Sequence, residues 1–337
     1  MHLYRITIEL LSSLITPLKG DTIWGHIVWG IAYHEGEKAV AEFLENEKNS
    51  PQFVVSSAFP YGLICKPYPK PPKRTENLDI KTYSKIKKMK KMKYRYASEF
   101  LNVPLPEEYQ AELDKQVEQS KKDKLDNKFL QEILKTEIRM HNSIDRYTGT
   151  VNEGMLFSTT ELWAKPPCFD KLCKKNKEVD EKNNMTKQNP NPHFDIYVLS
   201  SFSAERIKTL FSWGFENGFG ADASTGKGHI QVTSIEKVQT TKTTNYYMAL
   251  APFALPKSSE LELRADVFLR TGKIGGAFAS YMNPYKKTVL LYAEGAVIKS
   301  PEPIKYVGSL LTDIHSDSRI CQAGYAPVIP IEEEEEA

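Results

Sequence analysis

The sequence predicts an α+β fold built on antiparallel sheets, and three observations carry that prediction. The chain opens on a strict alternation, with Tyr4, Ile6, Ile8 and Leu10 against Arg5, Thr7 and Glu9, the period of a strand with one face toward a core. Apolar residues at helical spacing follow, first Ile23, Ile27, Val28 and Ile31, later Ile207, Leu210 and Phe211. The last hundred residues are strand-rich, in runs Tyr246 to Leu255, Glu262 to Arg270, Thr288 to Ile298 and Ala323 to Ile331.

Each element has a local reason. After the first strand, Pro17 and Gly20 turn the chain, and Asp21 is placed to cap a helix that Gly36 can close. A second helical stretch, near Glu37 to Asn46, carries Val40, Phe43 and Leu44 inward, and Phe53 to Cys65 is extended, broken at Pro60. Between Lys66 and Arg95, twelve basic residues meet only Glu76 and Asp79, with four prolines at Pro67 to Pro72 and Tyr68, Tyr83, Tyr94 and Tyr96 interleaved. This stretch reads as a projecting arm or inserted loop. A mixed-charge helical stretch is expected from Glu107 to Ile138, and a second polar insert, expected to be mobile, from Lys171 to Pro192. Phe194 to Leu199 is a strand, Ser203 caps the next helix, which stops at Gly214 or Gly218, and His229 to Val238 alternates as a strand. Glu332 to Glu336 is an acidic tail expected to be disordered.

The chain's 337 residues suggest about two domains. A formal net charge of only +2 means that any basic surface must be local. The four cysteines, Cys65, Cys168, Cys173 and Cys321, form no C-x-x-C pair and no disulfide framework, which fits reduced thiols in a cytoplasmic protein. The apolar run Ile23 to Tyr33 is interrupted by Gly25, His26 and Gly30 and is far short of a membrane span; no signal-peptide layout precedes it, so the Asn184-Met185-Thr186 sequon is read as chance.

The sharpest motif is Gly218 to Gly228, with glycines at 218, 220, 226 and 228 and with Ser224, Thr225 and Lys227 among them. Such a loop can take positive φ and aim successive amides at an anion, with phosphate the natural occupant. The spacing is not that of a nucleotide P-loop, because five residues separate Gly220 from Gly226 and Gly228 follows the lysine. A tight helix-to-strand turn explains the glycines equally well. A second dense stretch, Arg139 to Gly154, offers Arg139, Asn142 and Arg146 for phosphate and sugar contacts, and a plain surface loop around Asp145 and Arg146 is the competing reading. No metal spacing occurs among the seven histidines; Cys168 and Cys173 near His193 make a poor zinc set. His26 or His229 could serve RNA cleavage, although a structural role suits either better. No cofactor or metal is expected.

Together these pieces resemble the RAMP superfamily of type III CRISPR systems. Thr16-Pro17-Leu18-Lys19-Gly20-Asp21-Thr22-Ile23-Trp24-Gly25-His26 is similar to the family's opening. Arg139 to Gly154 is similar to its central motif, and Gly218 to Gly228 to its glycine-rich signature. Gly324-Tyr325-Ala326-Pro327-Val328-Ile329-Pro330-Ile331 is similar to its C-terminal strand. Within the superfamily the nearest likeness is to the Cas-five-type fourth-subunit family of type III-A Csm interference complexes. The resemblance implies two ferredoxin-like (RRM-like) domains, 1–240 with inserts at about 66–135 and 171–193, and 241–331, ahead of the tail 332–337. It implies a non-catalytic subunit whose cleft binds the 5′ repeat-derived tag of the CRISPR guide RNA. Lys19, Arg139, Asn142, Arg146, Gly218, Gly220, Ser224, Thr225, Gly226, Lys227, Gly228, Gly324 and Tyr325 are the implied RNA contacts. It further implies docking to the large signature subunit, which carries polymerase and nuclease chemistry, and to the neighbouring backbone RAMP subunit. A guide-processing endoribonuclease of the same superfamily and a purely structural assembly subunit are the alternatives.

Overall fold

The computed structural model describes residues 1–70, 93–104, 134–151, 154–164, 191–240, 242, 244–256, 261–280 and 283–332. Most of the basic stretch, nearly all of the polar insert, Cys168 and Cys173, the greater part of the expected 107–138 helix and the acidic residues beyond Glu332 lie outside the described residues.

The first lobe is a four-stranded antiparallel sheet, ordered β2-β7-β1-β8, from β1 (His2–Leu10), β2 (Phe53–Pro60), β7 (His193–Ser200) and β8 (Ile230–Val238). Helix α1 (Gly20–Asn49) joins β1 to β2, and α2 (Ala204–Phe215) joins β7 to β8. This is the βαββαβ order of a ferredoxin-like unit. Ile6 and Ile8 of β1, Ile23, Ile27 and Ile31 of α1, and Leu210 and Phe211 of α2 form its core, each at most 1% exposed.

Local chemistry sets the helix ends. Gly36, at φ +86°, breaks α1 into two segments where the sequence expects a stop. Ser203 caps α2, its hydroxyl accepting from the Arg206 amide. Asp21 is not the cap of α1: Lys19 occupies that position, and Asp21 sits in the first turn. There its carboxylate takes the Arg270 guanidinium and the Gln322 side-chain amide of the second lobe.

The second lobe is a five-stranded antiparallel sheet, ordered β10-β13-β9-β15-β14. Its strands are β9 (Tyr246–Ala249), β10 (Glu262–Arg264), β13 (Val297–Lys299), β14 (Tyr306–Leu311) and β15 (Gln322–Ile331). The pair β11 (Val267–Arg270) and β12 (Val289–Tyr292) forms a ribbon beside it. Among the described residues this lobe carries no α-helix, whereas the first lobe has two.

The lobes share a core. Phe59, Ile64, Tyr197 and Val238 of the first pack with Met248, Leu250, Val297 and Ile329 of the second. This packing overturns the expectation of a half-exposed first strand. Arg5 and Thr7, on the polar face of β1, are 4% and 5% exposed, and Asp195 across from Thr7 is fully buried. The buried charges are paired: Arg5 bonds Glu236 and lies 3.9 Å from Asp195, which also accepts from Thr7 Oγ1 and the Gly62 amide. Burial pushes the Asp195 carboxyl up to about 6, with Arg5 opposing the shift.

The long connection from β2 to β7 supplies β3 (Leu63–Cys65) with β4 (Tyr94–Tyr96), and a hairpin of β5 (Leu134–His141) and β6 (Phe157–Ala164). Leu134 to Ile138, expected to end a helix, instead alternate as a strand, in register with Ala164 to Thr160. The hairpin is stitched to the body at its root, where Leu14 and Leu162 exchange backbone hydrogen bonds.

Candidate nucleic-acid interface

The glycine loop after α2 folds as a compact turn around a short 3-10 helix, Ala223–Thr225. Gly218, Gly220, Gly226 and Gly228 all have positive φ, as does Asp222. At Gly228 nothing else fits: a Cβ there would stand 2.0 Å from the Phe219 carbonyl oxygen. The amides, however, are committed within the protein. Gly220 donates to His26 Nε2 at 3.1 Å and Ala221 to Thr16 Oγ1 at 3.0 Å. Gly228 donates to the Ser13 carbonyl and His229 to Ser12 Oγ. Phe219, Gly226 and Lys227 also donate to backbone carbonyls within the loop. The amides at Asp222, Ala223 and Ser224, at the exposed start of the 3-10 turn, meet no protein acceptor among the described residues. The glycine amides of the loop are thus spent inside the protein, and only those of the short exposed turn stay open.

Lys227 is likewise committed. Its ammonium lies 2.7 Å from Glu161 Oε1 and 3.0 Å from Ser13 Oγ, and the Ser13 hydroxyl donates to Glu161 Oε2 at 2.9 Å. Arg139 Nε is 3.3 Å from the same Oε2, with its guanidinium over the Trp163 ring. Glu161 projects from β6 and its side chain is 1% exposed. Burial alone would raise its pKa, but hydrogen bonds from Lys227 and Ser13, with Arg139 nearby, outweigh that and hold it below the ordinary carboxylate range. One buried carboxylate therefore clamps the glycine loop to the hairpin and brings Lys227 and Arg139, 88 positions apart, to a single point. Lys227, one of the implied RNA contacts, is therefore engaged within the protein.

The remaining predicted residues spread out from this clamp. Asn142 and Arg146 lie exposed toward the hairpin tip, beyond the end of the strand that carries Arg139. The tip turn is held by Asp145, which accepts from the amides of Tyr147 and Thr148, so Asp145 is a turn cap and not the partner of Arg146. Ser224, Thr225 and Gly226 are exposed on the loop. Lys19 lies beyond the Leu14–Leu162 bridge, paired with Glu294 in a cleft between the lobes. Gly324 and Tyr325 do not reach this surface. Both are buried in β15: Gly324 lies tight against Ser309 and Ala254, and the Tyr325 hydroxyl donates to the Glu47 carbonyl, burial pushing its pKa up to about 12.

His26 is held as a neutral structural group. Burial depresses its pKa to about 4, its Nε2 is occupied by the Gly220 amide, and its ring packs on Phe219 at 4.6 Å. His229 is exposed next to the loop. Among the described residues no group of three His, Cys, Asp or Glu is arranged to hold a metal, and no helix is long and apolar enough to cross a membrane.

Sequence reading missed Glu161, Ser13 and Glu294. Glu161 was detectable as the lone acid in the strand-like run Phe157 to Trp163. A second glycine cluster, Gly272, Gly275 and Gly276, was also passed over; Gly275 and Gly276 lie against the Trp29 indole of α1.

No protein-family model matches the sequence, and no curated protein matches it. Solved structures do match, and they define a class: subunits of type III-A CRISPR-Cas assemblies share this fold. A chain from the Csm3-Csm4 subcomplex of the type III-A CRISPR-Cas interference complex aligns with a TM-score of 0.51 at 13% identity, covering 99% of this chain and 100% of that one. Chains from the Csm1-Csm4 cassette in complex with cA4 and with AMPPNP each give 0.51, at 16% and 15% identity, covering 98% of this chain and 99% of theirs. Csm4 is the component that all three structures share. At these identities the likeness is one of fold.

Proposed function

We propose that this chain is the Csm4-type, Cas-five-type RAMP subunit of a type III-A CRISPR interference complex acting in antiviral defence. In this reading it is a non-catalytic, cytoplasmic protein that holds the 5′ repeat-derived tag of the guide RNA. It also anchors the large signature subunit and meets the neighbouring backbone RAMP subunit. The observation that carries the reading is the end-to-end correspondence of fold with chains from Csm4-containing assemblies. The site supports it in kind. Arg139 at the Glu161 clamp and the open 222–224 amides of the adjoining loop, with Arg146 farther out on the hairpin tip, are groups suited to phosphates of a single strand. The division at about residue 240 belongs to the same proposal, with the first lobe as one RRM-like domain and 241–331 as a second that shares its core.

The neutral His26, whose Nε2 is taken by the Gly220 amide, argues against the endoribonuclease alternative, since a general base needs an open nitrogen. The test is incubation of the pure protein with labelled tag-bearing and scrambled RNAs, together with co-expression beside Csm1-type and Csm3-type subunits. Tag-selective binding without cleavage, and recovery in the complex, are expected. Cleavage abolished by His26→Ala or His229→Ala would establish the nuclease reading instead, and assembly without RNA binding the purely structural one.

A further inference from the structure

We propose that the cleft between the two lobes is a base-reading pocket, selective for a nucleobase that carries an exocyclic amino group. The cleft, about 740 Å³, lies where β2 and β3 meet Phe268 and the Ala293–Gly295 turn. Its size is within the range of about 300–1,000 Å³ typical of small-molecule sites. Tyr68, Tyr94 and Phe268 supply half-buried aromatic faces on which a planar ring can stack. At its polar end is Glu294. One carboxylate oxygen pairs with Lys19, and the other, Oε2, is buried and has no partner among the described residues.

That orphan oxygen gives the site its chemical character. An ionised carboxylate only accepts hydrogen bonds, so an unmet buried oxygen calls for a donor. Adenine N6, cytosine N4 and guanine N2 each offer an amino group, and acidic side chains accept from cytosine N4 in known base recognition. Uracil has no amino group, and its one ring donor on the pairing edge, N3–H, is flanked by two carbonyl oxygens that a carboxylate repels. The Tyr94 hydroxyl, kept protonated by burial and then by the neighbouring Glu294 charge, is a second hydrogen-bonding group beside the carboxylate. Lys93 stands at the wall, suited to the attached phosphate. The pocket opens next to the hairpin root, because Leu14 and Leu162, whose backbones bridge there, also line it. A strand passing the Glu161 clamp therefore has this cleft beside it and can turn one base inward.

That the base comes from a guide RNA rests on the function proposed above; the pocket's selectivity does not. The test therefore has two arms on the full chain. Calorimetric titration with AMP, CMP, GMP and UMP is expected to show at least one amino-bearing nucleotide binding about tenfold or more tighter than UMP, the scale of one charge-assisted hydrogen bond. Glu294→Gln keeps the shape and should erase that preference while leaving UMP unchanged. Phe268→Leu leaves the Lys19–Glu294 pair intact and should weaken all binding nucleotides alike, so the proposal stays testable if the Gln variant does not fold. Equal affinity for UMP, no binding by any of the four at millimolar concentration, or selectivity that survives in folded Glu294→Gln overturns the proposal. In the second arm, tag-bearing RNA that binds without any mononucleotide preference removes the pocket and leaves the proposed function standing. Mononucleotide selectivity without RNA binding does the reverse.

Discussion

Replacing Lys227 by alanine separates two accounts of the glycine loop. If Lys227 is a free surface charge facing a phosphate, its removal costs folding stability within about 0.5 kcal/mol. The structure predicts more, because Glu161 is 1% exposed and Lys227 is its closest cation at 2.7 Å. Stripping the partner from a buried ion costs about 3–5 kcal/mol. Arg139, half exposed and 3.3 Å away, together with the Ser13 hydroxyl, retains part of that. A loss of about 2–3 kcal/mol is therefore expected. With an unfolding entropy of about 0.7 kcal/mol/K for a chain of this length, that is a drop of about 3–4 °C in Tm. The sign with pH follows from Glu161. Its folded pKa lies below the ordinary value, so the stability it contributes is present above the unfolded pKa and is lost as pH falls through the folded one. The difference between parent and Lys227→Ala should accordingly shrink below about pH 4. A Glu161→Gln/Lys227→Met pair, which removes both charges, should recover at least about 1 kcal/mol of the loss. Denaturant titrations at neutral and acid pH provide the assay. A Lys227→Ala cost below about 0.5 kcal/mol, or strict additivity of the Glu161 and Lys227 changes, would refute the clamp.

Three further outcomes are expected. Gly228→Val should unfold the loop, since its Cβ would meet the Phe219 carbonyl oxygen at 2.0 Å; Gly226→Ala, at φ +86° with open space around it, should cost only about 1–2 kcal/mol, and matched thermal melts compare the two. NMR titration of His26 should give a midpoint near about 4, so its contribution to stability is full above the ordinary histidine pKa and lost as pH falls toward 4; a midpoint above 6 would mean an open, protonatable imidazole. Tyr325→Phe should cost about 1 kcal/mol, through its lost hydrogen bond to the Glu47 carbonyl, and leave RNA affinity unchanged; a specific drop in RNA binding would return Tyr325 to the interface.

Much of the fold was legible because its signals are local. The alternation of β1, the helical spacing of Ile23, Ile27 and Ile31, the break at Gly36 and the Ser203 cap each depend on a few neighbouring residues, and each is found as read. The α+β class follows from those signals. The 134–138 stretch was misread because charged residues alternate there with Leu134, Thr136 and Ile138, and the mixed charge suggested a solvated helix. β14 carried too weak a pattern to be placed, with glycine and serine at its centre.

For the site, the sequence singled out segments that the fold partly brings together: the Thr16–His26 stretch meets the Gly218–Gly228 loop, and of Arg139 to Gly154 only Arg139 reaches them, through Glu161. It could not determine which of their groups are free. The Gly228 amide and Lys227 ammonium are drawn inward by Ser13 and Glu161, partners 215 and 66 positions away in the chain. Arg5 and Thr7 are buried because a second sheet covers a strand face that looks solvated in isolation. Tyr325 is lost to the core for the same reason. Propensity and periodicity act over a few residues, whereas the fate of a polar group depends on whichever distant donor or acceptor the closed fold sets against it, and only the tertiary structure decides that.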